Sequence, residues 1–408
     1  MTQNFIFISP NFPKTYYQFP LAWKQLGGRS FAICDANYDT LSQAQKDAFD
    51  DYYQVNSLEN YDEVYRAVAW FAHKYGKIDW LEANNEYWLL QDAKLRLDFN
   101  IPNGDRESTV IDYKYKSKMK AYYHKANIPT ARYHLVTSLT DAKYFITEVH
   151  YPVIAKPDDG VGANATYKIT NEIELNNFFD TKPNTQYIME EYVPGYIISF
   201  DGIVDSNNQI IYRTCHNFPD PVMEIVNQKE DCIFWNEIQI PEKLNTLGER
   251  LIHAYNIKSR FFHTEYFCLT QDKPGLGKKG DYIGLEVNMR PPGGYMLDMV
   301  NYAQDTNIFM VYARMCMHKQ AVINEHPIYY CVHVGKRDIY SYQYTDAQIQ
   351  QKYNKHIVMH ERMPQVLEAA MGNEFYVARF TNKEEMTSFI NDVTKKEENH
   401  DHQLPKDL

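Results

Sequence analysis

Hydrophobic and polar positions alternate along the first hundred residues in a way that predicts strand, helix, strand. The apolar run Phe5 to Ile8 inside FIFIS (5–9) has the length and composition of a buried strand. TYYQFPLAWKQLGG reads as a helix closed by Gly27 and Gly28, with Pro20 expected to disturb its middle. A second strand, SFAIC, follows at 30–34. Val64, Val68, Phe71 and Tyr75 fall on one face of a further helix, Gly76 ends it, and IDWLEA (78–83) resumes a strand. This alternation favours a parallel α/β sheet, although no G-x-G-x-x-G fingerprint marks a dinucleotide site.

The pattern then changes. Residues 100–113, IPNGDRESTVIDYK, are rich in turn formers and polar groups and read as a linker. A Lys-rich helix (114–126), Pro129, the strand RYHLV, a helix near 140–149 and the strand YPVIAKP predict a compact α+β lobe. Strand signals dominate from TQYIMEEYV through IISFDGIVD and QIIYRT. Helical residues near 242–255 follow, then strands at 261–269 and 282–288, so a mainly antiparallel sheet is expected. The tail EENHDHQLPKDL is charged and apolar-poor and is expected to fray.

Composition narrows the function classes. A chain of 408 residues exceeds the size at which one core keeps growing, so several subdomains with a cleft between them are expected. With 44% hydrophobic and 23% charged residues, and 34 Tyr and 21 Phe, disorder is excluded for most of the chain. A net charge of −11 offers no global attraction to nucleic acid or to an anionic membrane. An anionic ligand must therefore be held by local basic residues, which points to small molecules. The six cysteines form no C-x-x-C pair, the N-terminus lacks a basic segment before its apolar run, and no apolar stretch approaches a membrane span. A reduced, soluble, cytoplasmic protein fits these features.

The most informative segment is IGLEVNMRPPGGY (283–295). Its strand pattern places Glu286, Asn288 and Arg290 on one face. A carboxylate and an amide oxygen suit a hard cation, and the guanidinium beside them suits phosphate oxygens. Glu265, inside the aromatic strand FFHTEYF, is explained by a metal, since Phe262 and Phe267 make a solvated strand a poor alternative. Singly these residues would read as surface charges; jointly they read as a site.

In YPVIAKPDDGVGANATYKI, Lys156 ends an apolar strand, and Gly160 and Gly162 open a loop whose backbone N–H groups could approach anionic oxygens. Alone, such a loop is an ordinary turn. In QYIMEEYVPG (186–195), an apolar strand runs into Glu190, Glu191, Tyr192 and Val193, whose backbone could read a purine. Lys116 opens the helix KSKMKAYYHKANIP, in which Lys118, Lys120 and Lys125 read as a solvated basic face.

In this order the motifs resemble the ATP-grasp superfamily of carboxylate–amine ligases, over roughly residues 1–310. The resemblance implies a parallel α/β pre-ATP-grasp domain (1–110) followed by a two-lobed ATP-grasp fold. The small lobe (111–185) would carry a glycine-rich lid from Gly160 to Ala165. The large lobe (186–310) would carry the metal site, and 311–408 would form its C-terminal, substrate-facing part. Lys116 and Lys156 would contact ATP phosphates, and the backbone from Glu191 to Val193 would pair with adenine beside Glu190. Glu265, Glu286 and Asn288 would hold Mg²⁺, as two ions with Mn²⁺ as a substitute, and Arg290 would serve the phosphates.

The chain departs from the pattern at Ile197, where the family places an acidic ribose ligand; Glu191 or Asp201 are the substitutes available. His333 and Arg337 in VHVGKRD are candidates for a substrate-facing wall, against the plainer reading of a buried strand. The implied activity is transfer of the ATP γ-phosphoryl to a small carboxylate, amino acids among the candidates, with attack by an amine on the acylphosphate. A bicarbonate-using carboxylase or carbamoyl-phosphate type of enzyme, or a non-catalytic nucleotide-binding module, are the alternatives. Neither nucleic acid nor membrane is expected as a partner, and a homo-oligomer is compatible with the chain.

Overall fold

The fold was obtained as a computed structural model that describes residues 2–160, 165–220, 222–320, 323 and 328–397. Gly162, most of the glycine-rich loop and the tail from residue 398 onward lie outside the described residues.

The N-terminal unit is a four-stranded parallel sheet in the spatial order Asp51–Gln54, Arg29–Cys34, Asn4–Ile8, Trp80–Glu82. All five residues of Asn4–Ile8 are buried, as a strand covered on both faces requires. The helix Tyr61–Tyr75 packs Val64, Val68 and Phe71 against Phe31 and Ile33, and Gly76 ends it with a φ of 87°, a conformation that glycine adopts without strain. Pro20 does not disturb a helix middle. The helix spans Gln18–Gln25, so Pro20 falls in its first turn, where the backbone N–H has no intrahelical acceptor to lose. The linker expected at 100–113 is likewise half helical: Glu107–Lys114 forms a helix because Val110 and Tyr113 bury one side of it.

The small lobe is an antiparallel sheet in the order Tyr133–Leu135, Tyr187–Glu191, Val153–Pro157, Tyr167–Ile169, backed by Phe145, Ile146, Leu175 and Phe178 from two helices. The expected lobe boundary at 185 therefore shifts. Tyr187–Glu191 is buried throughout and lies between two small-lobe strands, so the crossing into the large lobe begins after Glu191.

The large lobe is a nine-stranded antiparallel sheet. At one side Gly195–Val204 pairs along its whole length with Arg260–Leu269, which pairs in turn with the edge strand Tyr282–Asn288. The other side runs through His216–Phe218 and Cys232–Asn236 to Tyr330–Lys336, Glu374–Phe380 and Ile357–Arg362. The C-terminal region thus completes the same sheet. All six cysteines are free and buried, and no described helix is long and apolar enough to cross a membrane.

His333 and Arg337 do not form a substrate wall. The His333 ring is stacked between Phe234 (4.6 Å) and Phe375 (5.2 Å), and neither ring nitrogen makes a well-formed hydrogen bond. Arg337 donates to the carbonyls of Glu230, Glu368 and Ala369, which ties loops to the sheet. Burial pushes the His333 imidazole down to about 3, so the native state holds it neutral. The stability it contributes is complete above the ordinary histidine value and is lost as pH falls from about 6.5 towards 3. Replacing the ring by His333→Phe should make urea unfolding less acid-sensitive than the wild type by roughly 3 kcal/mol between pH 7 and pH 4. Parallel pH profiles of the two proteins would contradict this account.

Candidate active site

The floor of the site is set by register. Glu265 and Glu286 lie directly opposite each other on neighbouring strands, and His263 lies opposite Asn288 two pairs further along. Two carboxylates in that relation repel unless a cation sits with them. The helix Lys116–Lys125 crosses this floor and buries Lys116, Met119, Lys120 and Tyr123, the positions i, i+3, i+4 and i+7 of one helical face. The Tyr123 hydroxyl sits against the main-chain carbonyls of Glu286 (2.8 Å) and Glu265 (3.1 Å), which locks the helix to both acidic strands. Gly284 leaves room for that ring: a Cβ there would lie 2.3 Å from it.

Lys116 places its Nζ 3.2 Å from a Glu286 oxygen and donates to the Gly160 carbonyl at 2.6 Å. Burial opposes its charge, but Glu286 and Glu86 outweigh burial and raise its pKa. The helix start is held by Asp158, whose carboxylate accepts from the Ser117 N–H and hydroxyl, both at 2.7 Å. Asp158 directly follows the strand Val153–Pro157 that carries Lys156, so it fastens that strand to the lysine helix.

Lys120 is not part of a solvated basic face. It is buried, and its ammonium lies 2.5 Å from one oxygen of Glu190 while Lys156 lies 2.7 Å from the other. Burial resists ionisation of Glu190, yet the two ammonium groups prevail and hold its carboxyl at about 2. The signal was present in the sequence: Lys120 stands four residues after Lys116, one turn along the same face. Lys118 and Lys125, off that face, are exposed.

Between the lobes lies a cavity of about 240 Å³. Ala131, Ile154, Leu285 and Phe267 supply apolar walls, Glu190 to Val193 supply the crossing segment, and Lys156, Glu265, Glu286, Asn288 and Arg290 supply the charged end. The N–H groups of Glu191 and Tyr192 are taken by the carbonyls of Arg132 and Pro152, so the crossing presents Val193 as its next backbone donor. A larger groove of about 950 Å³ along Gln209–Arg213 brings together no comparable set of cations and acids.

The carboxylates of Glu191 and Asp201 have partners of their own. The Glu191 carboxylate is turned to Arg132, which holds it through Nη2 (2.7 Å) and Nε (3.1 Å). Asp201 does not line the cavity: its oxygens meet His216 (2.6 Å), His263 (2.5 Å) and the Ser199 hydroxyl (2.5 Å) in the sheet interior. Ile197 lines the cavity, and so does Glu191, whose carboxylate is held by Arg132. Burial would lower the His263 pKa, but Asp201 and Glu265 raise it to about 9, and the imidazolium Nε2 lies 3.2 Å from Glu265.

Sequence reasoning missed Glu86. It follows the Trp80–Glu82 strand in the N-terminal unit, lines the cavity, and its Oε2 accepts from Arg290 Nη2 at 2.7 Å. Its position just beyond the carboxyl end of a parallel strand was the available signal, since ligand crevices in such sheets open there.

No family model matches the chain. A curated relative, the chloroplastic phosphoribosylamine–glycine ligase of Arabidopsis thaliana, is 32% identical over 106 residues. That match spans 23% of this chain and only 19% of the relative. Solved structures match over nearly the whole chain. An L-amino acid ligase from Bacillus licheniformis gives a TM-score of 0.71 at 14% identity, covering 96% of this chain and 97% of that one. Phosphoribosylglycinamide synthetase from Anaerococcus prevotii gives 0.64 at 15% identity, covering 97% and 99%. The biotin carboxylase domain of Hydrogenobacter thermophilus 2-oxoglutarate carboxylase, crystallised with MgADP and bicarbonate, gives 0.69 at 14% identity, covering 97% and 91%. At these identities the likeness concerns architecture. The chain has the ATP-grasp fold that its motifs resembled.

Glu190→Gln would leave the buried ammonium groups of Lys120 and Lys156 without their shared counterion. We expect a loss of about 3 kcal/mol or more in urea unfolding. A loss below 1 kcal/mol would mean that the triad is solvated in solution.

Proposed function

We propose that the protein is an ATP-dependent ligase that activates a small carboxylate as an acylphosphate and joins it to an amine, releasing ADP and phosphate. The observation that carries this reading is the convergence, at one end of a single interlobe cavity, of Lys156, Glu265, Glu286, Asn288 and Arg290, with Lys116 on Glu286. Curated and structural similarity to carbon–nitrogen ligases supports it.

The residues fit a divalent cation. Glu265 and Glu286 face each other across the strand pair, and among the described residues Lys116 pairs with Glu286 and His263 with Glu265. Glu265, Glu286 and Asn288 are the oxygen donors that would hold Mg²⁺, which supplies charge neutralisation on nucleotide phosphates when bound. MgADP in the H. thermophilus structure is consistent with this assignment.

The remaining work falls to the chain's own groups. Purine would lie against Ala131, Ile154 and Leu285 at the Glu191–Val193 crossing. Lys116 and Lys156 would orient phosphates, and Arg290 would stand where the γ-phosphoryl meets the substrate carboxylate. Attack by a carboxylate oxygen on the γ-phosphorus breaks its bond to the β-phosphate oxygen and gives acylphosphate and ADP. The amine nitrogen then attacks the carbonyl carbon, phosphate departs, and the nitrogen proton passes to solvent or phosphate. No protein nucleophile is needed, because positioning and charge stabilisation carry phosphoryl transfer.

Glu286→Gln should abolish Mg²⁺-dependent ADP release without unfolding the protein, whereas unchanged turnover would remove the metal assignment. Arg290→Ala should reduce turnover by at least about a hundredfold while altering ATP affinity far less, since its contact strengthens in the transition state. Both are read from coupled ADP-release kinetics with paired acids and amines. Phosphate release that depends on bicarbonate alone would replace the ligase reading by a carboxylase-like one.

A further inference from the structure

The two cations on Glu190 differ in their relation to the cavity. Glu190 and Lys156 both line it, whereas Lys120 does not, and all three residues are buried. Lys156 Nζ lies 2.7 Å from Glu190 Oε2, and Lys120 Nζ lies 2.5 Å from Oε1. Among the described residues neither lysine has another anion within ion-pair distance. Lys120 is also held from two directions. Its helix, Lys116–Lys125, is tied by the Tyr123 hydroxyl to the carbonyls of Glu265 and Glu286, and at its start by Ser117 to Asp158.

A nucleotide in this cavity changes the charge balance on one side only. Its phosphates draw on Lys156, so the ammonium that now neutralises Glu190 from the cavity side has to be shared or given up. With Lys156 as its sole partner, Glu190 would be left as a buried carboxylate without a counterion, of the same sign as the phosphates beside it, and nucleotide binding would carry that cost. Lys120 removes the conflict, because it stays on Oε1 whichever anion Lys156 serves. A lysine needed only to pack the helix would leave phosphate binding insensitive to its charge.

We propose that Lys120 is a positioning residue for nucleotide binding: by neutralising Glu190 from outside the cavity, it releases Lys156 to the phosphates. The proposal rests on the ATP-using reading of the cavity and adds to it a residue that does not line the site.

Calorimetric titration with MgADP and with adenosine, which has the same base and sugar but no phosphates, separates this role from a structural one. Lys120→Met should weaken MgADP binding by at least about tenfold while adenosine affinity changes by less than about threefold. Lys120→Met combined with Glu190→Gln removes both members of the pair and should return MgADP affinity to within about threefold of the wild type, whereas two independent structural losses would add. Unchanged MgADP affinity in Lys120→Met overturns the proposal. So does an equal loss for adenosine, or a double variant that binds MgADP no better than the single one. Should Lys120→Met fail to fold, the double variant decides: near-wild-type MgADP affinity upholds the proposal, and a larger loss overturns it. Should the wild type bind no MgADP, the ATP-using reading itself fails. Should it bind MgADP with no dependence on Lys120, only the role of Lys120 fails.

Discussion

The structure depends on keeping several charges dry and balanced in one place. Lys116, Lys120, Lys156 and Glu190 are buried, Glu286 is partly buried beside them, and each would be costly alone. Glu190 lies between two lysines from different elements, one on the crossing helix and one on the small-lobe strand, so lobe geometry and charge balance are the same constraint. Tyr123 and Asp158 act mechanically in its support, the first pinning the helix to the strands that carry Glu265 and Glu286 and the second pinning it to the strand that carries Lys156.

That arrangement explains why the cavity is polarised. Ala131, Ile154, Leu285 and Phe267 line it with apolar surface, and Lys156, Glu190, Glu265, Glu286 and Arg290 line it with charge. The carboxylates there sit in a register that a cation relieves. Arg290 is joined to the N-terminal unit through Glu86, which lies just beyond the last strand of the parallel sheet. Behind the floor, Asp201, His216 and His263 form a hydrogen-bonded chain that ends at Glu265 and fills the sheet interior with satisfied polar groups.

Much of this was legible in order along the chain. Strand period placed Glu286, Asn288 and Arg290 on one side, and the structure brings all three to the cavity. Helix period would have placed Lys120 beside Lys116, but its companions Lys118 and Lys125 gave the segment the look of a solvated face, and only the approach of Glu190 separates them. Asp201 sits in a strand like any other acidic candidate; two histidines from other strands turn it inward. The buried strand that was the plainer reading of the His333 segment is what forms, and the ring is enclosed by Phe234 and Phe375, respectively about a hundred positions earlier and some forty later.

By itself the sequence determined the elements, their order, and the residue types able to hold a nucleotide and a cation, because these follow from period, turn chemistry and spacing within one segment. Tertiary structure decided which charges meet: Lys120 with Glu190, Glu191 with Arg132, Asp201 with two histidines, Arg290 with Glu86. The physical reason is that an ion pair is specified by distance in space, and these partners are brought together by sheet register and lobe packing, which no single stretch of chain encodes.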